Sequence, residues 1–341
     1  MATLQDVARE ANVSVATVSR VMNNAKNVRD ETRARVQAAI RSLGFQPSRV
    51  ARRLRSRTGN NQLIGLVVPD IQNPFFVEVV RGVEEAAYSN GHAVLLSNYR
   101  YDEEKERLYL NLMKSESVDG LIIIPNDRND RAVQNLIRSG LPIVCVDREV
   151  DNVDADAVIV DNRRGAFEAT KHLIRLKNKR IGYISGPVRM ITSVERLEGF
   201  KDAMVSNGLE IDENLIRVGD YKYESGSLLA GELLDLDQRP TALFVANSLM
   251  TLGALEAIHR RGLKIPEDVA LIGFDDMAWA ISLNPPLTAV SQPGFEIGRR
   301  AAELLFQRIA DPKRQTARVV LETRLVIRKS CGAEMNQGGR G

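Results

Sequence analysis

Residues 3–23 read TLQDVAREANVSVATVSRVMN. Leu4, Val7, Ala8 and Ala11 recur at helical spacing, and Thr3 with Asp6 three residues later has the form of a capping box, which predicts a short helix over residues 4–10. Ala11-Asn12-Val13 breaks it. Ser14 is placed to cap a second helix over residues 15–22, with Val18 and Val21 turned inward and Val15, Ala16, Thr17, Ser19 and Arg20 left on the outer face. Two short helices about a tight turn make a helix-turn-helix, a unit whose second helix enters the major groove of DNA. Further on, Val28 as a staple, Asp30 as a cap, Val36, Ala39, Ile40 and Leu43 on one face and Gly44 as a stop predict a third helix that closes a small core.

Charge agrees with that reading. Residues 1–60 hold twelve cations and four anions, a net +8; the whole chain carries +3, so residues 61–341 are left with −5. A basic head on a mildly acidic body calls for a polyanion as partner of the head alone. Residues 47–57, PSRVARRLRSR, hold five arginines and no acid. Like charges would keep such a segment unfolded by itself, and in isolation it reads as a solvated linker. Directly after a helix-turn-helix it reads instead as a hinge helix that folds when phosphates neutralise it, with Leu54 as an apolar wedge in the minor groove.

From residue 62 the pattern changes to buried apolar runs alternating with amphipathic stretches. Strands are expected at 64–68, 93–96, 121–124, 143–146 and 158–160, then at 180–185, 215–218, 242–245, 269–274 and 288–290, which is the alternation of parallel sheets covered by helices on both faces. An internal repeat relates the two series. Ile64-Gly65, Gly82-Val83-Glu84-Glu85-Ala86 and Ser89-Asn90-Gly91 return as Ile181-Gly182, Gly199-Phe200-Lys201-Asp202-Ala203 and Ser206-Asn207-Gly208, offset by 117 residues each time. The fold class is therefore α/β: two similar doubly wound lobes preceded by a small all-α head, with a cleft at the carboxyl ends of the strands.

Polar residues gather at those strand ends. Asn73, Phe75 and Phe76 open a helix after the first strand; Asp147-Arg148 closes the 143–146 strand; Arg196, Tyr221, Asn247, Asp275 and Gln292 stand in corresponding places of the second lobe and the last crossover. A sugar presents apolar C–H faces and a ring of hydroxyls that both donate and accept, and aromatic platforms with Asp, Asn, Arg and Gln satisfy both. Reactive chemistry has no comparable support. His92, His172 and His259 lack metal-ligand spacing and read as surface or helix-end residues; no GxGxxG follows the first strand of either lobe, and no phosphate-binding GxxxxGK[ST] or GxSxG motif occurs, so neither an enzyme nor a cofactor is expected. The two cysteines, Cys145 in an apolar run and Cys331 in a polar tail, predict no disulfide and no zinc site. No apolar run of membrane-spanning length and no secretory pattern is seen, so a cytoplasmic protein is expected.

The runs at residues 3–8, 13–23 and 47–54 resemble the headpiece of the lactose and purine repressor family, and the body resembles the periplasmic sugar-binding fold that this family shares. The resemblance implies a transcription regulator, with 1–46 as the DNA-binding headpiece, 47–60 as hinge helix and linker, 61–330 as the effector domain and 331–341 as a disordered tail. Lobe 1 would hold about 61–161 and 292–318, lobe 2 about 162–291 and 319–330. It further implies that Thr3, Ser14, Val15, Ala16, Thr17, Ser19, Arg20, Asn23, Val50, Ala51 and Leu54 meet double-stranded DNA at a palindromic operator. Asn73, Phe75, Phe76, Asp147, Arg148, Arg196, Tyr221, Asn247, Asp275 and Gln292 would hold the effector. That effector is expected to be a monosaccharide or a sugar acid, with Arg148 and Arg196 as surplus cations for a carboxylate. Met190, where purine-binding relatives place an arginine, speaks against a purine, and a purine-type corepressor of the same architecture is the alternative. Ser248 stands where many sugar-binding relatives have Asp. A homodimer is expected, without coiled-coil tetramerisation because the tail lacks heptad leucines.

Overall fold

Helix α1 (Leu4–Glu10) starts at the capping box expected from its sequence. The Asp6 N–H donates to Thr3 Oγ1 at 3.3 Å, and the Thr3 N–H and hydroxyl donate back to the Asp6 carboxylate at 2.8 and 2.7 Å. Those bonds to Thr3 hold the Asp6 carboxyl below its usual range. Asn12, at φ 51°, turns the chain, and Ser14 Oγ accepts the Thr17 N–H at 3.1 Å to start α2 (Val15–Met22). Helix α3 (Asp30–Ser42) corrects one expectation. Asp30 does not cap it: Arg29 stands at the cap without a side-chain bond, and Asp30 with Glu31 lies in the first turn, where the positive end of the helix dipole favours carboxylates. Val7, Ala8, Ala11, Val18, Val21, Val36, Ala39 and Phe45 form the core of this unit, with Val28, Ile40 and Leu43 packed against it.

This computed structural model describes residues 3–22, 25, 28–45 and 62–333, and the chain divides into two units, 1–61 and 62–341. In the second unit one sheet holds β1 (Leu63–Val68), β2 (Ala93–Asn98), β3 (Gly120–Ile123), β4 (Ile143–Val146), β5 (Asp156–Val160) and β11 (Arg318–Leu321), ordered β11-β5-β4-β3-β1-β2. The other holds β6 (Ile181–Ser185), β7 (Ile216–Val218), β8 (Ala242–Val245), β9 (Ala270–Phe274), β10 (Thr288–Ser291) and β12 (Arg324–Val326), ordered β12-β10-β9-β8-β6-β7. The two orders are the same topology repeated. Neighbours run parallel except β12, which lies antiparallel to β10, its first residue Arg324 paired with the last of β10, Ser291. Lobe 1 is covered by α4 (Pro74–Ser89), α5 (Glu103–Ser115), α6 (Arg131–Arg138) and α11 (Gly294–Ala310); lobe 2 by α7 (Asn162–Arg175), α8 (Ile191–Ser206), α9 (Tyr223–Leu234) and α10 (Ser248–Arg260).

Helices α4 and α8 have the same length and the same offset of 117 as the sequence repeat. The repeated glycine explains itself in packing terms. A Cβ on Gly82 would lie 2.0 Å from the Phe295 carbonyl of α11, and one on Gly199 would lie 2.1 Å from the Arg163 carbonyl of α7, so each lobe needs a bare backbone where its two long helices touch. The chain crosses between lobes three times: at Asp161, at Gln292-Pro293 and at Glu322-Thr323. Strand β11 pairs with β5, and its Val319 and Leu321 pack on the core of lobe 1, so that lobe extends through Leu321 rather than stopping at 318. Residues 331–333 also differ from expectation. Cys331 is buried, with the Thr288 hydroxyl donating to its Sγ at 3.2 Å and His172 Nε2 at 3.3 Å, which draws the start of the tail into lobe 2. The rest of the expected disordered tail, 334–341, lies outside the described residues. Among the described residues, no helix is long and apolar enough to cross a membrane.

Candidate effector cleft and DNA-binding face

All ten residues expected to hold an effector line one cleft between the lobes, together with Tyr101 and Thr192. The cleft is nearly closed, with about 20 Å³ free inside it. Asn73 caps α4, its Oδ1 accepting the Phe75 N–H at 3.0 Å, and the rings of Phe75 and Phe76 follow at 5.1 Å between centroids. Asp147 and Asp275 hold equivalent places in the two lobes. Each follows a central strand in the left-handed region, at φ 68° and 73°, and each backbone N–H is bonded to the next strand, to Val158 O and Val290 O. Tyr221 after β7 and Tyr101 after β2 share that conformation, at φ 68° and 59°. Non-glycine residues in this region are uncommon and concentrate where a site over-determines them.

The two arginines are differently employed. Arg148 bonds its neighbour Asp147, with Nε and Nη2 at 3.1 and 2.9 Å from Oδ2. Burial is the largest influence and works against its charge, but the Asp147 carboxylate and the surrounding Tyr99, Tyr101 and Tyr221 together outweigh it, and the guanidinium is held more firmly protonated than usual. Arg196 donates from Nε to Asn162 Oδ1 at 2.8 Å and from Nη1 to the Ala246 carbonyl at 2.6 Å, and its guanidinium lies 3.7 Å from the centre of the Phe274 ring. Neither is the surplus cation expected from the sequence: one is neutralised by its neighbour, and the other is spent on lobe 2. Burial raises the Asp275 carboxyl, opposed chiefly by Arg196, and Gln292 Nε2 donates to Asp275 Oδ1 across the crossover.

Tyr221 and Asn247 are locked as well. The Tyr221 hydroxyl meets Ser193 Oγ at 2.6 Å; Asn247 Nδ2 donates to the Tyr221 carbonyl at 3.0 Å while its Oδ1 caps α10 through the Met250 N–H at 2.9 Å. The Tyr221 ring lies where a Cβ on Gly186 would stand, 2.1 Å from that point. Ser248 reaches the other lobe: its hydroxyl donates to Asn73 Oδ1 at 3.3 Å, bridging the cleft. Two polar atoms of the lining are buried without a partner, the donor Arg148 Nη1 and the acceptor Gln292 Oε1.

Over residues 3–48 the chain matches the family model for bacterial regulatory proteins of the lacI family, and over 61–329 the model for periplasmic binding proteins and the sugar-binding domain of that family. The HTH-type transcriptional repressor PurR of Mannheimia succiniciproducens is 37% identical over 334 residues, covering 97% of this chain and 98% of the relative. The chain belongs to the LacI family. It is, at that level, a DNA-binding transcriptional repressor. Among solved structures, the Lac repressor dimer bound to operator and the anti-inducer ONPF is similar at a TM-score of 0.84 with 29% identity, covering 97% of this chain and 99% of that one. A complex of the transcriptional regulator CelR with cellobiose is similar at 0.74 with 36% identity, covering 97% and 100%.

In this LacI-family chain, the outer face of α2 carries Val15, Ala16 and Arg20 exposed, with Thr17 and Ser19 partly so. Ser14 and Thr17 share a bond of 2.9 Å between their hydroxyls, and Thr3 is engaged with Asp6. Asn23, and Val50, Ala51 and Leu54 of the expected hinge helix, lie outside the described residues. His92 is no surface group: its ring lies 3.6 Å from Asp119 and 4.9 Å from the Phe306 ring centre. His172 and His259 occupy the last turns of α7 and α10. Met190, taken as a sign against purines, is buried in the core of lobe 2 and does not line the cleft. Sequence reasoning missed Thr192 and Tyr101. The 117-residue offset carries Phe75 onto Thr192, so the repeat held the first; the second has only its place after a strand as a signal.

Proposed function

We propose that this chain binds a palindromic operator as a homodimer, in the cytoplasm, and that a neutral monosaccharide in the interlobe cleft changes its affinity for that operator. The reading of the head gives Arg20 a guanine edge and Val15 and Ala16 the groove floor, with Thr3, Ser14, Thr17 and Ser19 at phosphates. Asn23, Val50, Ala51 and Leu54 complete the contact, Leu54 at the central step. The similar Lac repressor structure is a dimer on operator.

One observation carries the effector reading: the cleft is polar yet balanced in charge, and the two lining atoms it leaves unpartnered are one donor, Arg148 Nη1, and one acceptor, Gln292 Oε1. A hydroxyl is the group that serves both. A carboxylate would bring a charge for which no unspent cation waits, because Arg148 is paired and Arg196 is occupied. Little free space remains in the cleft. Four aromatic residues, Phe75, Phe76, Tyr101 and Tyr221, line it and offer faces to sugar C–H groups. Closure of the lobes on the sugar would move the three crossovers, and affinity for DNA would change by the difference in effector affinity between the two states.

Calorimetric titration of the full chain with neutral pentoses and hexoses, the corresponding uronic acids and free purine bases separates the readings. A neutral sugar should bind and shift the midpoint of a band-shift on a palindromic duplex. Binding by uronic acids or purines alone overturns the effector class, whereas failure to retard any duplex at low salt overturns the reading of the head.

A further inference from the structure

Lobe 1 holds a second polar group beside Arg148, outside the cleft lining. Glu106, on α5, and Asn126, just past β3, are 3% and 2% exposed. Asp130 caps α6, its Oδ1 accepting the N–H groups of Ala132 and Val133 at 3.0 Å each. The Asn126 N–H donates to Glu106 Oε1 at 3.2 Å. Three atoms are left over: Asp130 Oδ2 and both polar atoms of the Asn126 side chain are buried with no partner. The carboxyl groups of Glu106 and Asp130 lie within hydrogen-bonding reach of each other. Two carboxylates in contact have no donor to offer one another, and ionising both out of water is costly. A proton on Glu106 removes the repulsion and supplies the donor that Asp130 Oδ2 lacks.

We propose that Glu106 and Asp130 hold one proton between them at neutral pH, with Glu106 as the acid and Asp130 as the acceptor. The groups facing the pair pull in both directions, and burial dominates. Burial, then the Asp130 carboxylate and the bond to it, push the Glu106 carboxyl up to about 9, against the pull of the Asn126 N–H and Arg148. Burial raises Asp130 too, opposed by the Val133 and Ala132 N–H groups and by the bond from Glu106. Tyr99, beside both, is buried with its hydroxyl donating to the Ile124 carbonyl at 3.0 Å and adds no charge. Glu106 and Asp130 lie at the starts of α5 and α6, whose positive dipole ends ease the charge of the one carboxylate that stays ionised. Release of the proton would double the negative charge facing Arg148 and set the pair in competition with Asp147 for it. Arg148 is the cleft-lining cation that the charge of the pair reaches.

Glu106 binds its proton more tightly folded than unfolded, so the stabilisation is complete below its ordinary value of 4.5 and is lost as pH climbs to about 9. Glu106→Gln keeps a permanent donor toward Asp130 and has no proton to lose. Thermal melts of the full chain should therefore show the unaltered protein losing stability relative to the Gln variant between about pH 5 and about pH 9; parallel curves overturn the proposal. Infrared spectroscopy of the unaltered chain at neutral pH gives a second reading that needs no variant to fold. A shielded carboxylic-acid carbonyl band that disappears as pH passes about 9 is expected, and its absence overturns the proposal. Loss of the same band at neutral pH in Glu106→Gln, or in Asp130→Asn, which retains a capping oxygen, assigns it to the pair; persistence in both overturns it. None of these measurements uses an effector, so they stand or fall apart from the sugar reading.

Discussion

The two lobes share a topology but differ in how far their polar groups are satisfied. At the cleft side of lobe 2 the side chains are locked by protein: Arg196 by Asn162, Ala246 and Phe274, Tyr221 by Ser193, Asn247 by Tyr221 and Met250. At the corresponding end of lobe 1, Asn98 Oδ1, both polar atoms of Asn126, Asp130 Oδ2 and Arg148 Nη1 are buried without partners. Among the described residues lobe 2 leaves one such side-chain atom, Tyr183 Oη, so its template is nearly finished where that of lobe 1 is not. Buried polar groups are paired as a rule, so a concentration of exceptions on one side locates where a ligand or a proton has most to contribute.

Substitutions can break that comparison. The largest effect is expected for Arg196→Ala, which leaves the Asn162 amide oxygen and the Ala246 carbonyl without their donors and Asp275 without its nearby cation; a loss of about 3–5 kcal/mol in denaturant unfolding is anticipated. A loss under about 1 kcal/mol would mean that lobe 2 is not held by this residue. Asn247→Ala removes a helix cap and the bond to the Tyr221 carbonyl, about 2 kcal/mol by the same measurement. Ser248→Ala deletes the bond across the cleft to Asn73; about 0.5–1.5 kcal/mol of closed-state stability should be lost, seen as a more open particle in solution scattering. Unchanged scattering would show that Ser248 does not bridge the lobes. Asn126→Leu is the counter-test, since replacing an unsatisfied amide by an apolar group of similar size should change stability by less than about 0.5 kcal/mol or improve it. A penalty equal to that of Asn247→Ala would erase the distinction between the lobes.

Much of this was legible in the amino-acid order. Helices α1 and α2 start and stop where Thr3, Asp6, Asn12 and Ser14 place them, because a cap is a local bond between residues three apart. Strands β4 and β8 run over the residues expected, being short, apolar on both faces and bounded by polar turns. Strands β11 and β12 were invisible: they are short edge strands opened by the exposed Arg318 and Arg324, and their pairing is decided by distant partners. Burial of Cys331 escaped for the same reason, since His172 and Thr288 are far away in sequence. In the cleft, residue types and positions were readable but their allegiance was not. Nothing in the order of residues shows that Arg196 spends itself on Asn162 and Ala246, or that Glu106 meets Asp130.

The glycine contact between α4 and α11 has a mechanical side. Gly82 and Gly298 bring the two backbones together with no side chain between them, and a Cβ on Gly294 would lie 2.9 Å from that of Glu78 and 3.1 Å from the Phe75 carbonyl. Helix α4 begins among the cleft aromatics; α11 begins immediately after the Gln292-Pro293 crossover. Backbones in direct contact cannot slide past a compressible layer, so the pair behaves as a stiff crank. A push on Phe75 or Phe76 would therefore pass along α4 to α11 and on to the joint between the lobes.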